Sequence, residues 1–218
     1  MKWMIASDLH GSAYYCKKML EAYDREGAQR LLLLGDILYH GPRNDLPRDY
    51  APKEVIAMLN TRKADIYNVR GNCDTEVDQM VLEFPVLTEY MLIPILDAGA
   101  SGAQAPEPNA CGEPEAEYTA CAQTCGASAS PVIFATHGHI YNENNLPPFH
   151  KGDILLHGHT HVPVCADRGD YIYMNPGSLS IPKEDSWHGY MILEQSLTDD
   201  CRFTWKDLDG EVKMEFGL

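Results

Sequence analysis

Over the first third of the chain, short apolar blocks alternate with amphipathic stretches. Residues 2–7 (KWMIAS) read as a buried strand, and residues 12–26 follow with Tyr15, Met19, Leu20 and Tyr23 at helical spacing. Residues 31–34 are four leucines stopped by Gly35 and Asp36. So short a run, closed by glycine, predicts a central strand rather than a helix. The next helix is predicted over 52–59 and the next strand over 64–69, ending at Arg70-Gly71-Asn72. A β-α-β-α-β order of this kind predicts a mostly parallel sheet and an α/β fold class.

The second half changes character. Residues 132–136, 153–156, 171–174, 190–193 and 202–205 all read as short strands with few helical intervals, and two packed sheets with helices outside fit this count. Between the halves lie residues 98–130, rich in Ala, Gly, Ser, Pro and Glu and without a Lys or Arg. Such a stretch buries too little apolar surface to offset its ordering entropy. It is expected to be a flexible surface insertion joining two hairpin-like strands, within one domain spanning 1–218.

Composition narrows the function classes. With a formal net charge of −15, partners bound through many phosphate contacts, such as long nucleic acid, are disfavoured. A small anionic substrate needs a local positive charge, which bound divalent metals supply. The N-terminus meets Asp8 and His10 before any apolar signal core forms, and there is no apolar run of about 18 residues. The expected location is the cytoplasm, away from membranes. The seven cysteines are odd in number and form no CxxC pair, so they read as reduced thiols. Cys111, Cys121 and Cys125 match no common zinc spacing.

Candidate metal ligands recur after the predicted strands: Asp8 and His10, then Asp36, Asn72, His137, and finally His159 and His161. Each segment alone is weak, since Gly35-Asp36 or Gly71-Asn72 is as readily a turn. Strand ends, however, are where an α/β sheet presents loops to a ligand, so distant residues can converge on one crevice. An extended backbone through Gly158-His159-Thr160-His161 would put both imidazoles on one face. Imidazole, carboxylate and amide donors suit borderline divalent ions such as manganese, iron, zinc or cobalt. Two such ions sharing a carboxylate supply a bridging hydroxide that attacks phosphorus in line. In the loop after Asp36, Arg43 and Asn44 could reach the substrate phosphate, where a guanidinium pairs with two oxygens.

Taken in order, Ser7-Asp8-Leu9-His10, Leu34-Gly35-Asp36, Arg70-Gly71-Asn72-Cys73-Asp74, Thr136-His137-Gly138-His139 and Gly158-His159-Thr160-His161 resemble the calcineurin-like metallophosphoesterase family. His40-Gly41-Pro42-Arg43-Asn44 and Asn175-Pro176-Gly177-Ser178 make the chain most similar to its small bacterial YfcE-like phosphodiesterases. The resemblance implies a four-layer α-β-β-α sandwich of two mixed sheets. It also implies one metal on Asp8, His10, Asp36 and His161, and a second on Asp36, Asn72, His137 and His159. Asp36, Asn72 and His10 then act as catalytic residues, and Arg43, Asn44 and Asn72 bind substrate. Manganese is the implied activating ion, phosphodiesters are the implied substrates, and homo-oligomers are common in such families.

One position departs from the wider family. Cys73 stands where many members carry histidine, and a thiol is a poorer donor to a leaving alkoxide. His139, next to His137, would point away from the metals on an extended backbone, and Asp74 would accept a hydrogen bond from a metal-binding histidine. A phosphomonoesterase or nucleotidase on the same site is the enzyme alternative. A non-catalytic scaffold of the same fold is disfavoured because all seven ligand positions carry metal-binding residues.

Overall fold

The computed structural model describes residues 1–95, 130–196 and 201–218. Strand β1 (Lys2–Ala6), helix α1 (Ala13–Glu26), strand β2 (Arg30–Leu33), helix α2 (Pro52–Asn60) and strand β3 (Ile66–Asn68) follow one another as the pattern predicts. Local chemistry sets the bounds of α1: the Ser12 hydroxyl accepts the Tyr15 N–H at its start, and Gly27 ends it in the left-handed region at φ 62°. Pro52 opens α2, where its missing N–H costs nothing. A single turn, α3 (Glu76–Gln79), precedes β4 (Tyr90–Pro94).

Seven further strands complete the chain: β5 (Val132–Thr136), β6 (Ile154–His157), β7 (Pro163–Asp167), β8 (Ile172–Pro176), β9 (Gly189–Glu194), β10 (Arg202–Asp207) and β11 (Val212–Gly217). They form two mixed sheets, ordered β11-β10-β9-β1-β2-β3 and β4-β5-β6-β8-β7. Strands β1, β2 and β3 run parallel, as do β5, β6 and β8. β4 pairs antiparallel with β5. The strands flanking the expected insertion are thus hairpin-like neighbours, while the insertion itself, Ser130 apart, lies outside the described residues.

The leucine run explains how β2 is placed. Leu31 and Leu33 pack with Met4, Ala6, Cys16, Met19, Val55 and Leu59 beneath the helices. Leu32 and Leu34 face the other way, against Ile133, Ile154, Met174 and Trp205 between the sheets. Both faces of β2 are therefore buried, and its sequence reads as a continuous apolar block rather than an alternation. On the outer face of the second sheet, Phe134, Leu155 and Tyr173 are covered by Tyr141, Phe149 and Tyr171. Among the described residues this outer layer is built of loop aromatics, not of a helix.

Candidate metal centre

The loops after β1, β2, β3, β5 and β6 converge at one end of the sandwich. The Asp8 N–H donates to Gly35 O at 3.2 Å and the His10 N–H to Asp36 O at 2.8 Å, so the first two loops run side by side. Five of the candidate ligands have left-handed backbones: Asp8 (φ 57°), His10 (50°), Asp36 (55°), His159 (64°) and His161 (64°). Non-glycine residues rarely adopt this region, and five of the eight that do so among the described residues are candidate ligands. The extended backbone expected for 158–161 is therefore corrected: His159 and His161 meet the crevice through left-handed positions on either side of Thr160. Close approach fixes the motif glycines. A Cβ on Gly158 would lie 1.9 Å from Ser7 Oγ, and one on Gly71 would lie 2.2 Å from the Asp36 nitrogen.

The donor atoms fall into two groups. In the first, His161 Nε2 lies 3.2 Å from Asp8 Oδ1 and 3.3 Å from His10 Nε2. His10 Nε2 is 3.7 Å from Asp8 Oδ1 and 3.8 Å from Asp36 Oδ2. In the second, His137 Nε2 lies 3.0 Å from Asn72 Oδ1, 3.2 Å from His159 Nδ1 and 3.5 Å from Asp36 Oδ2. Asp36 Oδ2 thus stands between the groups, while its Oδ1 is held by the Cys73 N–H at 2.8 Å.

Hydrogen bonding on the far side of each ring decides what these atoms can do. His10, His161 and His137 direct Nδ1 to the carbonyls of Tyr39 (2.8 Å), Ile181 (2.7 Å) and Leu34 (2.6 Å). A carbonyl only accepts, so each Nδ1 carries a proton, and the neutral form of each ring, the form that binds a metal, turns an Nε2 lone pair inward. Two lone pairs facing each other at 3.3 Å cannot hydrogen bond, but a cation between them satisfies both. Asp8 Oδ1 is likewise buried without a hydrogen-bond partner, whereas Oδ2 accepts from Ser7 Oγ at 2.6 Å and from the His159 N–H at 3.1 Å. An orphaned carboxylate oxygen among imidazole lone pairs fits a divalent metal.

Charge follows the same arrangement. Burial raises the Asp8 carboxyl, but contacts with His10 and His161 outweigh it and hold the group well below the usual carboxylate range. Burial lowers His10, yet the Asp8 carboxylate raises it above the ordinary histidine value. Burial and then the neighbouring His137 push His159 down to about 4, which leaves a free lone pair at neutral pH.

Asp74 does not take a histidine as expected. Its carboxylate accepts three backbone N–H groups, from Asp36 (2.9 Å), Ile37 (2.9 Å) and Gly71 (2.7 Å), and so ties the second and third loops together. The Asn175–Ser178 turn braces the first and last loops. Asn175 Nδ2 donates to Gly158 O at 2.8 Å and Ser178 Oγ to Asp8 O at 2.9 Å. His139 is half-buried with its ring centroid 5.4 Å from that of His137.

A crevice of about 490 Å³ opens over the donor groups, lined by Asp36, Asn72, His159 and His161 at its base and by Arg43 and Asn44 on a wall. Asn44 also donates an amide N–H to His40 O at 2.9 Å, which shapes that wall. Cys73 lines the crevice as a neutral thiol, pushed far above the ordinary range by burial and then by Asp36. Lys183 also lines the crevice, and no motif or periodicity in the sequence marks it. A larger cavity of about 810 Å³ lies near Met1, Lys2 and Arg202, at the opposite end of β1. Among the described residues it holds none of the candidate metal groups.

Residues 1–197 match the family model of the calcineurin-like phosphoesterase superfamily domain. The chain is 39% identical over 197 residues to the phosphodiesterase YfcE of Escherichia coli K12, covering 90% of this chain and 89% of that protein. The solved structure of YfcE, a phosphoesterase from E. coli, superposes with a TM-score of 0.77 at 36% identity, covering 99% of this chain and 98% of that one. Vacuolar protein sorting 29 from Cryptosporidium parvum shares the fold at a TM-score of 0.55 and 17% identity, with 100% of this chain and 98% of that chain covered.

Proposed function

The chain belongs to the calcineurin-like phosphoesterase superfamily, and on that premise we propose that it is a dinuclear metal-dependent phosphodiesterase, with residues 1–218 working as one domain. The observation that carries this reading is Asp36 Oδ2, which lies 3.8 Å from His10 Nε2 and 3.5 Å from His137 Nε2 and so faces both donor groups. Asp8, His10, Asp36 and His161 would hold one ion, and Asp36, Asn72, His137 and His159 the other. Manganese is the proposed metal, and the nitrogen and oxygen donors equally admit iron, zinc or cobalt. When bound, two such ions supply Lewis acidity and a hydroxide that attacks phosphorus at neutral pH.

The protein's own residues do the rest. Asp8 and Asp36 bring negative charge that concentrates the metals, and the backbone carbonyls behind His10, His137 and His161 fix the reactive tautomer. Arg43 offers a planar pair of donors to the non-bridging oxygens of the substrate phosphate, and Asn72, the exposed member of the ligand set, meets substrate at the crevice floor. Identity to the E. coli phosphodiesterase favours diesters over monoesters. A protein that shares only the fold, as vacuolar protein sorting 29 does, carries no argument for catalysis.

Metal-stripped protein resupplied with manganese tests this reading on bis-p-nitrophenyl phosphate against p-nitrophenyl phosphate. Faster, manganese-dependent diester turnover supports it; faster monoester turnover moves the assignment to a phosphomonoesterase.

A further inference from the structure

Lys183 sits on the crevice wall although it belongs to none of the five ligand-bearing loops. Its position is built rather than incidental. The Lys183 N–H donates to His161 O at 3.1 Å, and His161 Nδ1 donates back to Ile181 O at 2.7 Å. On the far side, the Lys183 carbonyl accepts both the N–H of Ser186 at 3.1 Å and its hydroxyl at 2.6 Å. Between these anchors Glu184 and Asp185 both adopt left-handed backbones at φ 55°. The segment is thus latched at both ends, one of them to a candidate metal ligand, and the lysine moves with the site.

Charge makes the placement informative. Arg43 and Lys183 are the cationic side chains lining the crevice among the described residues, in a chain of formal net charge −15. Two divalent ions would bring four positive charges to the centre. Asp8 and Asp36 bring two negative charges, and a diester with its hydroxide brings two more. Asp74 is answered by three backbone N–H groups. The centre is balanced before either cation is counted, so with a simple diester both Arg43 and Lys183 are in excess, and with Arg43 assigned to the scissile phosphate Lys183 has no anionic group of the substrate to meet. The crevice, at about 490 Å³, also has room for far more than one phosphate.

We infer that Lys183 is a specificity-determining residue whose ammonium binds a second anionic group, such as a phosphate, on the part of the diester away from the reacting phosphorus. The inference rests on the diesterase reading above. The preferred substrate is then a diester with an additional phosphate, such as a phosphorylated nucleotide ester, rather than one with neutral arms. A lysine suits this task, because a flexible stem lets a compact ammonium follow the outer group while the scissile phosphate stays fixed.

The p-nitrophenyl ester of thymidine 5′-phosphate, with and without a 3′-phosphate, isolates the added charge, since both esters release the same phenolate. With manganese-loaded wild-type protein, KM should be about tenfold lower for the 3′-phosphorylated ester. Lys183→Met should erase that difference, and Lys183→Arg should restore most of it. Calorimetry with thymidine 3′,5′-bisphosphate gives a readout independent of turnover and should show the same loss of affinity in Lys183→Met. Equal KM shifts for both esters, or none, overturn the inference and leave the diesterase reading standing. Failure of the wild type to cleave either ester overturns both.

Discussion

The Asp74 carboxylate accepts the backbone N–H of Asp36 at 2.9 Å, so the residue proposed to bridge two metals is positioned by an acid that touches neither donor group. Burial pushes Asp74 up to about 6 against the pull of the Ile37 and Gly71 N–H groups, which still leaves it largely ionised at neutral pH. Asp74→Asn removes the charge and turns an amide donor toward N–H groups that need an acceptor. The variant should lose about 1–3 kcal/mol of stability in urea unfolding. It should also bind manganese more weakly, because the Asp36 loop is no longer held against Gly71.

On the proposed reading, Cys73, which lines the crevice, bears on which esters are cleaved. Its thiol is held far above the ordinary range by burial and then by Asp36, which makes it a weak acid and a poor donor to a poor leaving group. Aryl phosphodiesters should therefore turn over much faster than alkyl diesters of matched size. Steady-state rates on such a pair check this, and equal rates would show that another residue protonates the leaving oxygen.

Away from the site, Glu26 ties α1 to the first sheet. Both its oxygens lie 2.9 Å from Lys206 Nζ, and Oε1 accepts the Tyr190 hydroxyl at 2.8 Å. Burial raises this carboxyl, but Lys206 and Tyr190 lower it below its ordinary value overall. A depressed folded value means that the stabilisation is fully present above the unfolded carboxylate pKa and is lost as pH falls through the folded one. Glu26→Gln should cost about 1–3 kcal/mol at pH 7. The gap from wild type should narrow once the pH falls below about 4, as followed by urea unfolding at several pH values.

The sequence exposes some parts of this molecule far better than others, for physical reasons. Strands β1, β2, β5 and β6 lie inside the sheets, and their buried faces leave dense apolar runs. The strands that escape definition, β4, β7 and β11, are all edge strands. β7 begins at Pro163 and none of its residues is fully buried, while in β4 only Ile93 is. Edge strands bury little and keep proline and charge, so β4 and β7 show no clear alternation, whereas β11 does alternate apolar with charged residues over Val212-Lys213-Met214-Glu215-Phe216. At the site, the seven candidate ligands are legible because each follows a strand. Their left-handed backbones are not, since nothing in Asp8, His10 or His161 distinguishes φ near 60° from an extended residue. Lys183 stayed hidden for a related reason: it reaches the crevice through hydrogen bonds to His161, a tertiary contact without a sequence signature. The cysteines among the described residues, Cys16, Cys73, Cys165 and Cys201, are free thiols, and Cys111, Cys121 and Cys125 lie outside those residues.

The shared carboxylate of Asp36 is most directly tested by titrating metal-stripped protein with manganese and reading stoichiometry and electron paramagnetic resonance together. Two ions per chain with a spin-coupled spectrum, reduced to one or none in Asp36→Asn while Asp74 and the fold stay intact, is the expected result. A single ion per chain, or two ions without magnetic coupling in the wild type, contradicts a centre bridged by Asp36.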